Sequence, residues 1–416
     1  MIYIHVPFCR SFCTYCDFYS EVAARCRKAE DALRQETLFG RFSSALAAEI
    51  RNRKKEIQGA CATSGVNTLY IGGGTPSVLP LSVFERLLSA LSDAGCGGPY
   101  DEFTVEVNPE DIVENGPAYV EKLLGMGVNR VSMGVQSFDD NILRWMNRRH
   151  DSATAVKAYR ILEDAGVQNI SIDLIFGLPQ LTDVAWKETL DRALSISSRG
   201  VLPHHISSYQ LSVEPDSMLA RLVEKGKWTE ASDELCQGQY QVLCDKLSDA
   251  GYHHYEISNF ALPGHEAVHN SAYWRYVPYI GLGPGAHSFV EKTSQCGAQM
   301  TACTDLSSKQ ENVSYVRSWN EQDLQKYIEA AENDDFSDVT DSEVLNDGQI
   351  ILEKVMLGLR TSEGLTEEML RASCDAGALD SALARGDLER REDGKIRIPE
   401  SRFFVSDAII LNLYRD

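Results

Sequence analysis

A chain of 416 residues, 43% hydrophobic and 24% charged, has the composition of a globular protein with enough length for two or three domains. Its formal net charge of −21 argues against a non-specific nucleic-acid binder, because such proteins carry a basic face, so we expect no nucleic-acid partner. No stretch approaches the run of roughly 18 apolar residues that a transmembrane helix needs, so none is predicted.

Short apolar runs rich in β-formers alternate with segments of helical spacing along the first half of the chain. This alternation predicts βαβ units and a parallel sheet, and six units fit an α/β fold with a partial (β/α)6 barrel. The candidate strands are Ile2–His5, Thr68–Ile71, Phe103–Val107, Arg130–Val135, Ile170–Ile175 and His204–Leu211. The candidate helices lie near 41–57, 80–93, 117–125, 139–147, 152–165 and 184–198.

The remaining segments predict an insertion, a loop and a separate C-terminal part. Residues 20–40 are polar and interrupt the first crossover, and residues 291–314 have the composition of a flexible loop. From about residue 340 we predict a small, mainly helical, winged-helix-like domain. Its elements would be helices Gln349–Leu359 and Glu367–Ala378 and a hairpin of Ile396–Ile398 with Phe403–Val405. The expected division is a barrel core at 1–215, a connecting region at 216–335 and a C-terminal domain at 336–416.

Three of the 11 cysteines form a compact motif directly after the first strand. An odd number of cysteines in a long chain favours thiols or metal ligands over a disulfide framework. Cys9, Cys13 and Cys16, spaced Cys-x3-Cys-x2-Cys, could bind three irons of a [4Fe–4S] cluster and leave the fourth iron open. A structural zinc site with His5 as the fourth ligand is the alternative.

Polar and glycine residues mark the ends of the following strands. Gly72–Ser77 follows a strand, where glycines allow a ligand to approach the backbone, although a tight βα turn needs the same residues. Glu106, Gln136 and Asp173 lie at or near strand ends, where the carboxyl edge of a barrel builds its site. A carboxylate in an apolar strand is costly unless it is paired or binds a ligand, so these residues predict a ligand site.

In these motifs the chain resembles the coproporphyrinogen-oxidase-like branch of radical-SAM proteins, and within it the HemW-type heme chaperones. The resemblance implies a [4Fe–4S] cluster on Cys9, Cys13 and Cys16, with S-adenosylmethionine (SAM) on its open iron. Asp173 would hold the ribose hydroxyls, Arg148 the carboxylate, and Tyr15 would flank the adenine. The segments that carry the resemblance are 3–9, 72–77, 134–138, 173–179 and 357–360. The implied SAM contacts are Tyr3, Tyr15, Gly73, Gly74, Thr75, Glu106, Gln136, Arg148 and Asp173.

Two positions distinguish the two activities of this branch. The oxygen-independent coproporphyrinogen oxidases of this branch carry an extra cysteine two residues after the third cluster ligand. The chain has Phe18 at that position. The run His269-Asn270-Ser271-Ala272-Tyr273-Trp274 matches the HNxxYW signature associated with heme binding in the chaperones. His269 could therefore be an axial heme ligand. The residues alone leave open a packed turn with a buried, hydrogen-bonded histidine.

The resemblance therefore implies a heme chaperone that binds heme and a SAM-ligated cluster and passes heme to acceptor proteins, which could include membrane respiratory proteins. The alternative is an oxygen-independent coproporphyrinogen III oxidase, which decarboxylates its substrate to protoporphyrinogen IX. Whether the chain is an enzyme stays open, and no catalytic residue is assigned. The sequence begins in a strand with no basic and apolar leader, which predicts the cytoplasm, or a mitochondrion or plastid if a transit peptide was removed.

Overall fold

A computed structural model describes residues 1–22, 29–215, 217–293 and 313–414 of the chain. Its central feature is a nine-stranded sheet with the order β11-β1-β4-β5-β6-β7-β8-β10-β9. The strands of the first half are β1 Ile2–Val6, β2 Phe8–Cys9, β3 Glu21–Val22, β4 Thr68–Gly73, β5 Glu102–Val107, β6 Arg130–Gln136, β7 Ile170–Phe176 and β8 His205–Gln210. They are followed by β9 His253–Glu256, β10 Asn259–Ala261 and β11 Ile280–Leu282.

Six neighbouring strands of this sheet, β1, β4, β5, β6, β7 and β8, are parallel and stand in chain order. They are the six strands predicted from the sequence, each within two residues at either end, so the α/β fold with six βα units is confirmed. The sheet stays open, because β11 adds in parallel beside β1 and the β9–β10 pair adds antiparallel beside β8. All six carboxyl ends meet at one edge, where ligand sites of such sheets form.

Helices connect and cover these strands with their apolar faces. In α3, for example, Val83, Phe84, Leu87 and Leu91 are buried at helical spacing, in the same apolar core as the strands. The helices of this part are α1 Ala29–Asn52, α2 Lys54–Thr63, α3 Leu81–Asp93, α4 Pro109–Asn115, α5 Pro117–Gly125, α6 Asp140–Trp145, α7 Ser152–Ala165 and α8 Asp183–Leu194. After them come α9 Met218–Glu224, α10 Asp233–Asp249, α11 Val268–Trp274 and α12 Leu324–Glu332.

The structure shows which elements two of the predicted segments contain. The insertion expected at 20–40 is helical from Ala29 onward, because α1 begins there, while 23–28 lie outside the described residues. Of the loop expected at 291–314, residues 294–312 lie outside the described part and the two described ends are strands. Those ends belong to β12 His287–Thr293 and β13 Val313–Asn320, which form an antiparallel sheet with β14 Thr340–Leu345.

The C-terminal part contains the predicted helices together with a three-stranded sheet. Its elements are α13 Asp347–Leu359, β15 Leu365–Thr366, α14 Glu367–Ser373, α15 Ala376–Arg385, β16 Glu389–Arg390, β17 Lys395–Arg397 and α16 Ser406–Asn412. The proposed boundary at 335/336 falls between β13 and β14, and the division into three parts stays a proposal.

Two details of the C-terminal prediction were wrong. The single helix Glu367–Ala378 is broken, because the Asp375 side chain accepts a hydrogen bond from the Ala378 amide at 2.7 Å and starts a new helix there. The expected hairpin with Phe403–Val405 is absent from the described fold, since 400–405 forms a 3₁₀-helix and β17 pairs with β15 and β16. Among the described residues no helix combines the length and apolar character needed to cross a membrane.

Candidate functional site: a cavity at the carboxyl edge of the parallel strands

The three-cysteine loop follows β1 at the carboxyl edge of the sheet and is tied to its surroundings at several points. At its start, Phe8–Cys9 pairs with Glu21–Val22 as a two-stranded parallel ladder. Further along, the Thr14 amide donates to the Met146 carbonyl at 3.1 Å, and the Asn147 side chain donates to the Phe12 carbonyl at 2.7 Å. The loop is therefore held against the end of α6.

A cavity of about 500 Å³ lies beside this loop and gathers most of the predicted site residues. The size suits a small-molecule ligand. Phe12 and Phe18 stand among its lining residues with 53% and 65% of their surface exposed. The lining includes the three cysteines Cys9, Cys13 and Cys16 and eight predicted SAM contacts, namely Tyr15, Gly73, Gly74, Thr75, Glu106, Gln136, Arg148 and Asp173.

The cysteine sulfurs contact hydrogen-bonding groups of the cavity wall. The Cys9 Sγ lies 3.4 Å from the Thr75 hydroxyl, and an Arg148 guanidinium nitrogen donates to the Cys13 Sγ at 3.4 Å. Burial raises the pKa of Cys16 to about 12 and also raises that of Cys9, so these two thiols hold their protons until a cation binds them.

The zinc alternative has less support from this geometry. The two ring nitrogens of His5 are hydrogen-bonded to the Tyr3 hydroxyl at 3.1 Å and the Tyr19 carbonyl at 2.8 Å. Across the described ranges, no three His, Cys, Asp or Glu side chains converge on one point as a single-ion site requires. A cubane cluster holds its thiolates farther apart, on separate irons, so three thiols around one cavity fit a cluster better.

The glycine turn after β4 needs its glycines for steric reasons. Gly73 has φ +103°, and a Cβ there would lie 2.6 Å from the His5 ring. A Cβ on Gly74 would lie 2.6 Å from the Phe8 carbonyl oxygen, because the Gly74 amide donates to the Val6 carbonyl at 2.8 Å. The turn thus brings bare backbone to the cavity wall directly beside the cysteine loop.

Two buried carboxyl groups face the cavity from neighbouring strands. Glu106 accepts hydrogen bonds from the Tyr70 hydroxyl at 2.6 Å and the Gly73 amide at 3.1 Å, with no salt bridge to a described residue. Asp173 accepts from the Ser132 hydroxyl at 3.0 Å. Burial raises the pKa of Glu106 to about 7 and that of Asp173 to about 6. Both groups therefore suit a ligand that brings a cation or hydroxyls.

Arg148 is one of four arginines that line the cavity, with Arg10, Arg130 and Arg149. Its Nη2 donates to the Asn108 side chain at 2.6 Å and to the Gly134 carbonyl at 2.7 Å. In the described part of the chain, its buried Nε has no hydrogen-bond partner, and this spare donor fits an anionic ligand group. Gln136 adopts φ 67° at an irregularity in the β6–β7 ladder, and such a rare backbone conformation for a side-chain residue is typical of ligand sites.

Two predicted contacts, Tyr3 and His269, do not line the cavity. His269 is 1% exposed, and its ring nitrogens hydrogen-bond the Thr68 hydroxyl at 2.8 Å and the Tyr273 hydroxyl at 3.0 Å. This geometry favours the second alternative left open by the sequence, a packed histidine with both nitrogens satisfied. The Tyr3 and His269 rings lie 6.0 and 5.1 Å from the ring of Tyr70, which does line the cavity.

Several cavity residues were missed by the sequence analysis. Asn108 and Ser132 lie in the same segments as the predicted residues Glu106 and Gln136. Their own polar side chains near strand ends also indicated a site. Tyr70 carried no such signal, because a tyrosine in a strand is ordinary for a sheet residue. The missed lining residues include Tyr70, Asn108, Ser132, Ser207, Tyr209 and Asn270, and the charged residues Arg10, Glu110 and Arg130.

Comparison with known proteins identifies the family of this chain. Residues 3–193 match the family model of the Radical SAM superfamily, and with the parallel sheet and the three-cysteine loop this match makes the chain a radical SAM protein. The heme chaperone HemW of Synechocystis is 35% identical over 289 residues, 70% of this chain and 66% of that one. HemW of Lactococcus lactis is 31% identical over 88% of this chain and 83% of its own. The chain belongs to the HemW heme chaperone family.

Two other similarities extend the comparison. The mitochondrial radical S-adenosyl methionine domain-containing protein 1 of Danio rerio is 29% identical over 88% of this chain and 74% of that one. The solved structure of coproporphyrinogen III oxidase (HemN) from Escherichia coli superposes with a TM-score of 0.71 over 99% of this chain and 89% of that one, at 20% identity. At that identity the superposition shows a shared fold.

Proposed function

We propose that this chain is a heme chaperone, which binds heme together with a SAM-ligated [4Fe–4S] cluster and passes the heme to acceptor proteins. The observation that carries this proposal is its family membership, since relatives named heme chaperone HemW align with 70% and 88% of the chain. The acceptors would include heme-dependent respiratory proteins. Bacterial relatives and the mitochondrial relative of Danio rerio support two of the predicted compartments, the cytoplasm and the mitochondrion.

The residues present fit a cluster and SAM at the cavity. Cys9, Cys13 and Cys16 would hold three irons, and the bound cluster would supply one electron at an iron that no protein ligand occupies. The chain's own groups would orient SAM: Glu106 would face its ammonium group, Arg148 its carboxylate and Asp173 its ribose. The unpaired Nε of Arg148 and the two buried carboxyl groups support this arrangement.

The position of Phe18 favours the chaperone over the oxidase. Phe18 lines the cavity and is 65% exposed, at the place where the oxidases of the resembled branch carry a further cysteine. An aromatic ring cannot donate a proton or ligate iron, so any role of that cysteine in the oxidase reaction is lost here. Exposed rings at the mouth of the cavity would instead offer apolar surface to a flat ligand.

The decisive experiment is an anaerobic assay of the reconstituted full chain with coproporphyrinogen III, run beside a heme titration. We expect a Soret band that saturates with heme, transfer of that heme to an apo-acceptor, and no protoporphyrinogen IX. Turnover of coproporphyrinogen would overturn the proposal.

The cluster has its own test. The triple change Cys9→Ala, Cys13→Ala and Cys16→Ala should abolish iron and its absorbance after reconstitution. Changing the remote Cys374 to Ala should leave four irons per chain, the content of a [4Fe–4S] cluster. Four irons retained in the triple variant would contradict the assignment of these ligands.

A further inference from the structure

The helix that carries His269 is fixed to the amino-terminal ends of two central strands. The backbone amides of Val268 and His269 donate to the Glu102 carboxylate, at 2.8 and 3.0 Å, where β5 begins. The imidazole of His269 reaches Thr68, the first residue of β4. Burial lowers the pKa of His269 to about 3, so the ring is neutral and its two nitrogens act as one donor and one acceptor.

This imidazole packs against a residue that lines the SAM cavity. The rings of His269 and Tyr70 lie 5.1 Å apart at 35°, and Tyr3 contacts Tyr70 with ring centroids 6.0 Å apart. Tyr70 is thus held between Tyr3 and His269 beneath the cavity. The next residue of the helix, Asn270, lines the cavity itself. The helix of the HNxxYW run therefore forms part of the support of this cavity.

Tyr70 in turn orients the carboxyl group that faces the ligand. Its hydroxyl donates to Glu106 Oε1 at 2.6 Å, while the Gly73 amide donates to Oε2 at 3.1 Å. These two bonds define the plane of the carboxylate. A Cβ on Gly72 would lie 2.7 Å from the Tyr70 ring and 2.8 Å from the Glu106 carboxyl carbon, so the three groups are closely packed. A small movement of the Tyr70 ring would rotate the carboxylate.

We propose that His269 is a positioning residue of the SAM site, which holds the Tyr70 ring and through its hydroxyl orients the Glu106 carboxylate. The inference rests on SAM binding in this cavity, as proposed above, and is independent of heme transfer. It gives the histidine of the HNxxYW run a role that its burial allows. Direct ligation of heme iron would require breaking a hydrogen bond to Thr68 or Tyr273 and opening a packed helix.

The test compares SAM and heme binding in the same anaerobic, cluster-loaded full-length protein. Dissociation constants for SAM come from equilibrium dialysis, and those for heme from the Soret band. We expect His269→Ala and Tyr70→Phe each to weaken SAM binding by about 10-fold, the loss typical when a hydrogen bond to a charged group is disturbed. Heme affinity should stay within about 2-fold of wild type, the spread expected of independent sites.

Two further variants separate positioning from general damage. His269→Gln keeps a polar group toward Tyr273 and should recover part of the SAM affinity. The double variant His269→Ala/Tyr70→Phe should lose no more than the weaker-binding single variant, because both changes act through one hydroxyl. His254→Ala removes another buried histidine, which is hydrogen-bonded and stacked on Phe260 away from the cavity, and should leave SAM affinity unchanged.

Three outcomes would overturn the proposal: additive losses in the double variant, unchanged SAM affinity in His269→Ala, or loss of the Soret band with SAM affinity retained. The last result would assign His269 to the heme site.

A wild-type chain that binds heme without SAM would overturn this proposal and the SAM site together. A wild-type chain that binds SAM without heme would overturn the chaperone function and leave the positioning role standing. Tyr70→Phe keeps the ring and removes only the hydroxyl, so its SAM affinity still tests the proposal if His269→Ala fails to fold.

Discussion

At the scale of single residues, Glu106 should make SAM binding depend on pH near neutrality. Its pKa is about 7 because the group is buried, and a cationic ligand requires the ionised form. Between pH 6 and pH 8 the ionised fraction of such an acid rises from about one tenth to about nine tenths. SAM affinity should therefore increase about 9-fold over this interval, measured as the dissociation constant at each pH.

Glu106→Gln is the control for this pH dependence. The amide cannot ionise, so the residual affinity for SAM should be weak and should change by no more than about 2-fold between pH 6 and pH 8, the part due to Asp173 with its pKa of about 6. A wild-type dissociation constant that stays constant from pH 6 to pH 8 would contradict the role given to this carboxylate.

Some residues of the site could be predicted from the sequence, and others could not because their roles depend on contacts between distant parts of the chain. Glu106 and Asp173 were detectable because a carboxylate within an apolar strand is unusual on its own. The role of Tyr70 depends on Glu106 and His269, which are distant along the chain and meet it only in the folded sheet. The hydrogen bonds of His269 are equally non-local, since Thr68 lies 201 positions away.

At the scale of elements, the turn after β4 should tolerate no side chain at Gly73. Gly73→Ala places a methyl group 2.6 Å from the His5 ring in a backbone region that favours glycine. We expect the variant to lose SAM binding and to be destabilised by more than about 1 kcal/mol. Isothermal titration with SAM and thermal unfolding of the same samples measure the two effects.

Gly59→Ala provides a matched comparison within a helix. Gly59 lies in the exposed part of α2, where a Cβ would meet no atom within 4 Å. The change should stabilise the protein by about 0.5–1 kcal/mol and leave SAM affinity intact. If both glycine variants bind SAM equally well, the steric argument for the turn is wrong.

Elements with a strong periodic pattern were predictable, and those set by local signals or distant pairing were less so. The six parallel strands were found because each is a short segment rich in apolar and β-forming residues, although β8 also contains Ser207 and Ser208. The β16–β17 hairpin turns at Asp393-Gly394, with Gly394 at φ 81°, and this Asp-Gly pair was an available signal that the prediction did not use. The β12–β13–β14 sheet was missed because it pairs segments separated by 20 or more residues, two of which bound the predicted loop.

At the scale of the whole molecule, one buried carboxylate joins the barrel to the segments that follow it. Glu49 of α1 is 0% exposed and accepts hydrogen bonds from the Gly283 amide at 2.8 Å, the Asn320 side chain at 2.9 Å and the Tyr327 hydroxyl at 2.7 Å. It also pairs with Arg53 at 3.0 Å. Glu49→Gln should destabilise the fold by about 1–3 kcal/mol, because it removes one of the two carboxylates that pair with Arg53 and replaces an accepting oxygen by an NH2 group among buried donors.

Glu56→Gln is the control, since Glu56 pairs with the same Arg53 at 2.9 Å while its side chain is 48% exposed. An exposed pair contributes about 0–1 kcal/mol, so this variant should unfold close to the wild-type temperature. Differential scanning calorimetry under matched anaerobic conditions measures both variants. Equal midpoints for the two would show that Glu49 does not join these segments.

The open sheet has a further consequence, for self-association. A sheet that does not close exposes two edge strands, and unpaired edges can template the addition of strands from other molecules. Here Thr361 bridges Glu256 on β9 and the Ser362 amide donates to the Tyr255 carbonyl at 2.9 Å, while Tyr279 just before β11 bridges Phe289. The later segments thus cover part of both edge strands. A chain truncated before Thr361 should therefore sediment as aggregates under conditions in which the full chain does not.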